Sequence, residues 1–183
     1  MFPISHFNIT RTPFYYYDKT LLSNTLAKLI RLAGERNYHI HYAVKANANP
    51  EILKLIAASG IGADCVSGGE IKAALEAGFP AKKIVFAGVG KADWEIEYAL
   101  EKKIFCFNVE SAEELSVIEE LAKKKENIAS IALRINPNID AHTHEYITTG
   151  LSENKFGIPI EMLDSIFSQI QRSPHVQLVG FHF

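Results

Sequence analysis

The chain has 183 residues, of which 48% are hydrophobic, 10% aromatic and 22% charged. That balance suits a soluble globular protein with one large core, and it excludes disordered, collagen-like and coiled-coil chains. With 19 Lys and Arg against 21 Asp and Glu, the net charge is −2, so a nucleic-acid binder is not expected.

The predicted elements alternate. Short runs rich in β-branched and aromatic residues, at 39–45, 62–67, 84–88, 104–109, 131–136 and 178–183, read as six strands. Amphipathic stretches at 21–36, 50–59, 69–77, 93–101, 112–124 and 160–171 read as helices. The first five strands start 20 to 27 residues apart, about the length of one strand, one helix and two short loops. Ser111 followed by Glu114 has the spacing of a capping box, Asp93 is placed to cap the next helix, and Gly60 and Gly78 sit at helix C-termini. Alternating βα units predict a parallel sheet, open or closed into a barrel.

Ligands of such folds collect at the carboxyl ends of the strands. There the sequence places Lys45, Asp64, Glu110, Arg134, Asn136 and His182. Period-two alternation puts Ala43 and Lys45 on one face of their strand, and Ala132, Arg134 and Asn136 on one face of theirs. Lys45 is expected to lose hydration inside a barrel mouth, which would favour its neutral amine. The alternative is an ordinary lysine reaching to water. Asp64, a carboxylate in an apolar strand, calls for a cationic partner, and Lys45 on the next strand is the expected one.

Residues 62–70 carry glycines at a strand-to-helix turn but no nucleotide fingerprint, and Ser67 with Glu70 explains them as a helix cap. His142 and His144, near Asp140 and Glu145, lack the spacing of a known metal motif, so no metal site is assigned. The long connection 137–159 is expected to cover the active-site rim, and Tyr15, Tyr16 and Tyr17 read as a strand or packing patch. Cys65 and Cys106 lie in apolar runs, which suits buried thiols in a reducing compartment. The opening residues show no signal-peptide pattern and no apolar run reaches membrane length, so a cytoplasmic protein without a membrane span is expected.

The segments TPFYYYD (12–18), HYAVKANANPEIL (41–53), GADCVSGGEI (62–71), FAGVGK (86–91), FNVESAEEL (107–115), LRINPNIDAHTHEYITTG (133–150), ENKFGI (153–158) and GFHF (180–183) together resemble the N-terminal half of the diaminopimelate decarboxylase family. These are alanine racemase-like enzymes dependent on pyridoxal 5'-phosphate. The resemblance implies an α/β fold, a (β/α)8 TIM barrel cut after about six strands. Residues 1–18 would be an extended segment belonging with a C-terminal β domain, and 19–183 an incomplete barrel.

By the same resemblance Lys45 bonds covalently to the cofactor, Ala43, Asp64, Arg134 and His182 line its pocket, Glu70 stands near the reacting centre, and Lys155 lies at a dimer contact. The implied activity is decarboxylation of meso-2,6-diaminopimelate to L-lysine and CO2, by a homodimer acting on a free amino acid. The 183 residues alone are expected to be inactive, because such a barrel takes about 250 residues. Carboxynorspermidine, arginine or ornithine decarboxylases, a non-catalytic pyridoxal-phosphate barrel and a metal-dependent hydrolase are the competing readings. The segment Ala46-Asn47-Ala48-Asn49 after the lysine argues against alanine racemase.

Overall fold

The structure, a computed structural model, describes residues 3–137 and 156–183. After a four-residue helix α1 (Ile4–Phe7), the chain runs without regular structure to α2 (Lys19–Gly34) and then alternates. The order is β1 (His41–Ala43), α3 (Pro50–Ala58), β2 (Gly62–Cys65), α4 (Gly68–Ala77), β3 (Ile84–Phe86), α5 (Asp93–Lys102), β4 (Cys106–Val109), α6 (Ala112–Lys124) and β5 (Ala129–Asn136). A two-residue strand β6 (Ile158–Pro159), α7 (Leu163–Arg172) and β7 (Val176–His182) complete it. Every pairing is parallel, in the order β1-β2-β3-β4-β5-β7, with β6 on the carboxyl end of β5.

Alternation divides each strand between two environments. Ala63, Cys65, Ile84, Phe86, Phe107, Val109, Ile131 and Leu133 are at most 2% exposed and form the core with Ile71, Ile96, Leu115 and Ile118 of the helices. The opposite face carries Ala43, Asp64, Val85, Cys106, Asn108, Ala132, Arg134 and His182, successive residues of which pair in register across the strands.

Side chains fix the helix starts. Asp18 accepts from the Leu21 N–H, Asn49 from Glu51 and Ile52 with Pro50 in the first turn, Ser67 from Glu70 and Ser111 from Glu114. Gly78 ends α4 at φ +100°, a left-handed conformation that costs glycine little.

The differences from the sequence reading are local. The first strand stops at Ala43, and Val44–Ala46 forms a 3-10 turn that drops Val44 into the core, so Lys45 sits on the turn rather than in the strand. Ala92, not Asp93, precedes α5, and Glu95 Oε2 accepts from the Ala92 N–H at 2.9 Å to begin the helix. The strand β6 was not foreseen, because two residues carry no periodicity. The segment before α2 contains α1, so it is not extended throughout. The tyrosines form no strand: Tyr15 is 90% exposed, while Phe7 packs against Phe14 and Tyr16. No described helix is long and apolar enough to cross a membrane. Most of the connection 137–159, with His142, His144 and Lys155, lies outside the described residues.

Two predictions follow from this packing. A β-carbon on buried Gly62 would collide with the His41 ring and the Lys83 carbonyl, and a backbone carbonyl cannot step aside cheaply. Gly62→Ala should therefore lower the chemical-denaturation free energy by about 1–3 kcal/mol; an unchanged midpoint would refute the close approach. Among the described residues β1 pairs only with β2, and β7 only with β5. Bare strand edges invite pairing, so a polypeptide of these 183 residues should elute as an oligomer, whereas a monodisperse monomer would mean that its edges are covered.

Candidate active site

The carboxyl ends of the strands gather the polar groups. Ala43, Asp64, Val85 and Cys106 form one row of register partners, and Arg134 on β5 pairs with His182 on β7. A bulge makes the second pair possible. Ile131 faces Leu178, but Ala132 faces Gly180, so Val179 is an extra residue that reverses the alternation of β7. Without it His182 would share the helix-facing side with Leu178. With it, Phe181 packs edge-on against Phe167 of α7 and His182 turns to the inner face.

Asp64 is the electrostatic centre of this face. Burial pushes its carboxyl above the ordinary carboxylate range, and the positive charges of Lys45, His182 and His41 oppose that shift. Although β3, β4 and β5 separate β2 from β7, the sheet curves enough for Asp64 and His182 to feel each other. Burial likewise lowers the His41 pKa, with Asp64 opposing. Both thiols are held protonated, Cys65 pushed up to about 12 and Cys106 to about 11, chiefly by burial, so neither is a ready nucleophile.

Among the described residues, two buried side-chain polar atoms have no hydrogen-bond partner, Asp64 Oδ1 and His182 Nδ1. Buried polar atoms are nearly always satisfied, so two orphans on one inner face mark a place for a polar ligand. Lys45 lies at the mouth of the same face. It is exposed, so the loss of hydration expected for it is absent here, and no described ion pair joins it to Asp64. The turn it occupies is held by Tyr42, whose hydroxyl donates to the Asn47 carbonyl at 3.1 Å, and by Asn47, whose amide donates to the Tyr17 hydroxyl at 3.0 Å.

Arg134 is tied down tightly. Its Nη1 donates to Glu110 Oε1 and Oε2 at 3.0 and 2.9 Å, with Glu110 only 4% exposed and Arg134 29%. The guanidinium also lies 5.5 Å from the centre of the Phe156 ring. Gly157 lets this segment approach: at φ +99°, its β-carbon would stand 3.0 Å from the Arg134 carbonyl oxygen. Glu110 was visible in the sequence only as a strand-end acid, and its pairing with Arg134 depends on a neighbouring strand that spacing does not reveal.

Glu70 is engaged by the turn after β2. Its Oε2 accepts from the Val66 N–H at 2.7 Å, and its own N–H donates to Ser67 Oγ at 3.2 Å. A separate cleft of about 400 Å³ opens at the amino ends of the strands, lined by Ile30, Tyr38, Ile40, Gly62, Lys83 and Phe105 among others, and none of the sequence-predicted site residues borders it. No cluster of three metal-ligating side chains occurs among the described residues.

A primary amine, an unsatisfied carboxylate oxygen, an unsatisfied imidazole nitrogen and a guanidinium suit a small polar aromatic aldehyde bearing an anionic group, and pyridoxal phosphate has that chemistry. The family model for the pyridoxal binding domain of pyridoxal-dependent decarboxylases matches residues 23–183. Over its whole length the chain is 57% identical to the diaminopimelate decarboxylase of Bacteroides thetaiotaomicron, covering 48% of that protein.

Two crystal structures, both of diaminopimelate decarboxylase with L-lysine, match 98% of this chain. The Helicobacter pylori structure is 44% identical with a TM-score of 0.84, and the M. jannaschii structure 37% identical with a TM-score of 0.87. The chain spans a little under half the length of each of these relatives, 48%, 46% and 43%. A family match that takes in every strand and all the residues of the inner face settles the kinship: the chain belongs to the pyridoxal-dependent decarboxylases, and residues 23–183 are its pyridoxal-binding domain.

Proposed function

We propose that this chain is the cofactor-binding part of a cytoplasmic diaminopimelate decarboxylase that converts meso-2,6-diaminopimelate to L-lysine and CO2 and works as a homodimer. The carrying observation is the 57% identity to such an enzyme across the whole chain. The L-lysine in two related crystal structures fits the product of that reaction. In the reaction the bond to the departing carboxylate breaks, CO2 leaves, and a proton takes its place on the carbon.

Pyridoxal phosphate, when bound, supplies the electron sink for that carbon. Lys45 Nζ would hold the cofactor by supplying the amine for its aldehyde, and the same nitrogen, when not so engaged, would hold a proton near the reacting carbon. Asp64 and His182, through their unsatisfied atoms, would help to hold the cofactor, and Arg134 would border the same pocket. Ala43 lies beside Asp64 in register and keeps that part of the face open with its single methyl. Glu70 serves the reacting centre by holding the turn that follows Asp64. Residues 3–18 expose Tyr15, Ile9 and Ile4, apolar surface suited to packing against a further domain.

Borohydride reduction of the full-length protein with pyridoxal phosphate should fix the label on Lys45, read by peptide mapping. Label on another lysine, or none, would refute this assignment. Lys45→Ala should lower turnover of diaminopimelate at least ~10³-fold; a variant retaining wild-type rate would overturn the role.

Asp64 gives a pH test. A carboxyl raised in the folded state disfavours folding once the pH exceeds the ordinary carboxylate range, and the cost is complete above the shifted value. Asp64→Asn should therefore raise the melting temperature of the cofactor-free protein at neutral pH, with the gain fading on acidification, while weakening pyridoxal phosphate binding. A variant that loses stability at neutral pH, or binds the cofactor as well as wild type, would contradict this role.

A further inference from the structure

Lys91, in the loop after β3, is the most deeply buried cation described in an ion pair, with only 1% of its side chain exposed. Its ammonium has three hydrogens and three acceptors: the Gly88 carbonyl at 2.7 Å, the Asn108 carbonyl at 2.9 Å and Glu114 Oε1 at 2.5 Å. It also lies 5.4 Å from the centre of the Phe86 ring. One side chain thus joins the β3 loop, the end of β4 and the first turn of α6, and no substrate-facing duty explains it.

The contacts continue toward the active site. The other oxygen of Glu114 accepts from the Glu110 N–H at 2.8 Å. Glu110 in turn receives the Gly88 N–H at 3.4 Å and grips Arg134 Nη1 with both oxygens. Lys91, Gly88, Glu110 and Glu114 therefore close a ring, with Lys91 on the protein side and Arg134 attached on the pocket side. Burial raises the Glu114 pKa while Lys91 opposes that shift. Removing the cation would leave a buried carboxyl without its charge partner, free to protonate or turn away.

We propose that Lys91 is a positioning residue that acts through Glu114 and Glu110 to aim the Arg134 guanidinium at the pyridoxal site. This inference rests on the reading that Arg134 borders the bound cofactor. A purely structural lysine would hold the loops together without favouring one pocket group, and a double-mutant cycle separates the two roles.

The test measures pyridoxal phosphate affinity of the cofactor-free full-length protein, by quenching of its intrinsic fluorescence, for wild type, Lys91→Met, Arg134→Gln and the double variant. Melting curves restrict the comparison to folded protein. Lys91→Met should weaken binding about tenfold in the wild-type background and by less than about twofold once Arg134 is Gln. Equal losses in both backgrounds, or no loss from Lys91→Met, would overturn the positioning role while leaving the reading of Arg134 intact. An Arg134→Gln variant that binds as well as wild type would instead refute that reading, and the proposal with it. Should Lys91→Met fail to fold, the neutral pair Lys91→Gln/Glu114→Gln replaces it in the same cycle, with the same outcomes decisive.

Discussion

The two-residue period of a parallel strand governs this molecule, because it gives each strand two faces that must be built from different chemistry. Phe86, Phe107, Ile131 and Leu133 point at the helices and are fully buried, each burial contributing roughly 1.5–3 kcal/mol. Asp64, Asn108 and Arg134 occupy the intervening positions. A slip of one residue between neighbours would exchange the sets, placing charges against α4 to α6 and aromatic rings in the pocket. The apolar face therefore fixes the register on which the polar face depends.

The polar face has an energetic cost that the rim offsets. Asp64 is raised by burial with only partial compensation from Lys45, His182 and His41. Elsewhere the acids are satisfied. Glu95 accepts from the Gly68 and Ala92 N–H groups, Glu70 from Val66, Glu114 from Lys91 and Glu110, and Glu110 from Arg134. These bonds tie the turn after β2 to the start of α5, and the loop after β3 to β4, α6 and β5. Successive loops at the carboxyl rim are thus held by carboxylates bonded to backbone N–H groups or buried cations, interactions stronger than neutral pairs. Asp64 and His182 are left unsatisfied within a frame where most other charges are paired.

The fold was legible because it rests on local signals. Alternating periods, serine caps at Ser67 and Ser111, and the glycine after α4 located most elements to within a few residues. The inner-face residues were legible for the same reason, since Arg134 and Asp64 interrupt apolar strands. What escaped depends on partners distant in sequence. Glu110 is 24 residues from Arg134 and Lys91 is 23 from Glu114, and neither residue differs, as a letter in the chain, from a solvated surface charge. The early end of β1 escaped because Val44 and Lys45 continue a strand-like pattern; burial of Val44 in a 3-10 turn, with Tyr42 bonded to Asn47, decides otherwise.

That turn and the bulge in β7 depart from regular geometry, and both serve the inner face. A lysine fixed in the pairing part of a strand would keep its ammonium where the sheet puts it. On a turn beyond the last ladder residue, Lys45 lies outside the register and is exposed. The bulge at Val179 has the opposite effect on His182: it reverses the strand's parity once and then locks the imidazole opposite Arg134 through the ladder. One side chain of the inner face is taken out of the ladder and another is brought into register, each by displacing one or two residues from an otherwise regular sheet.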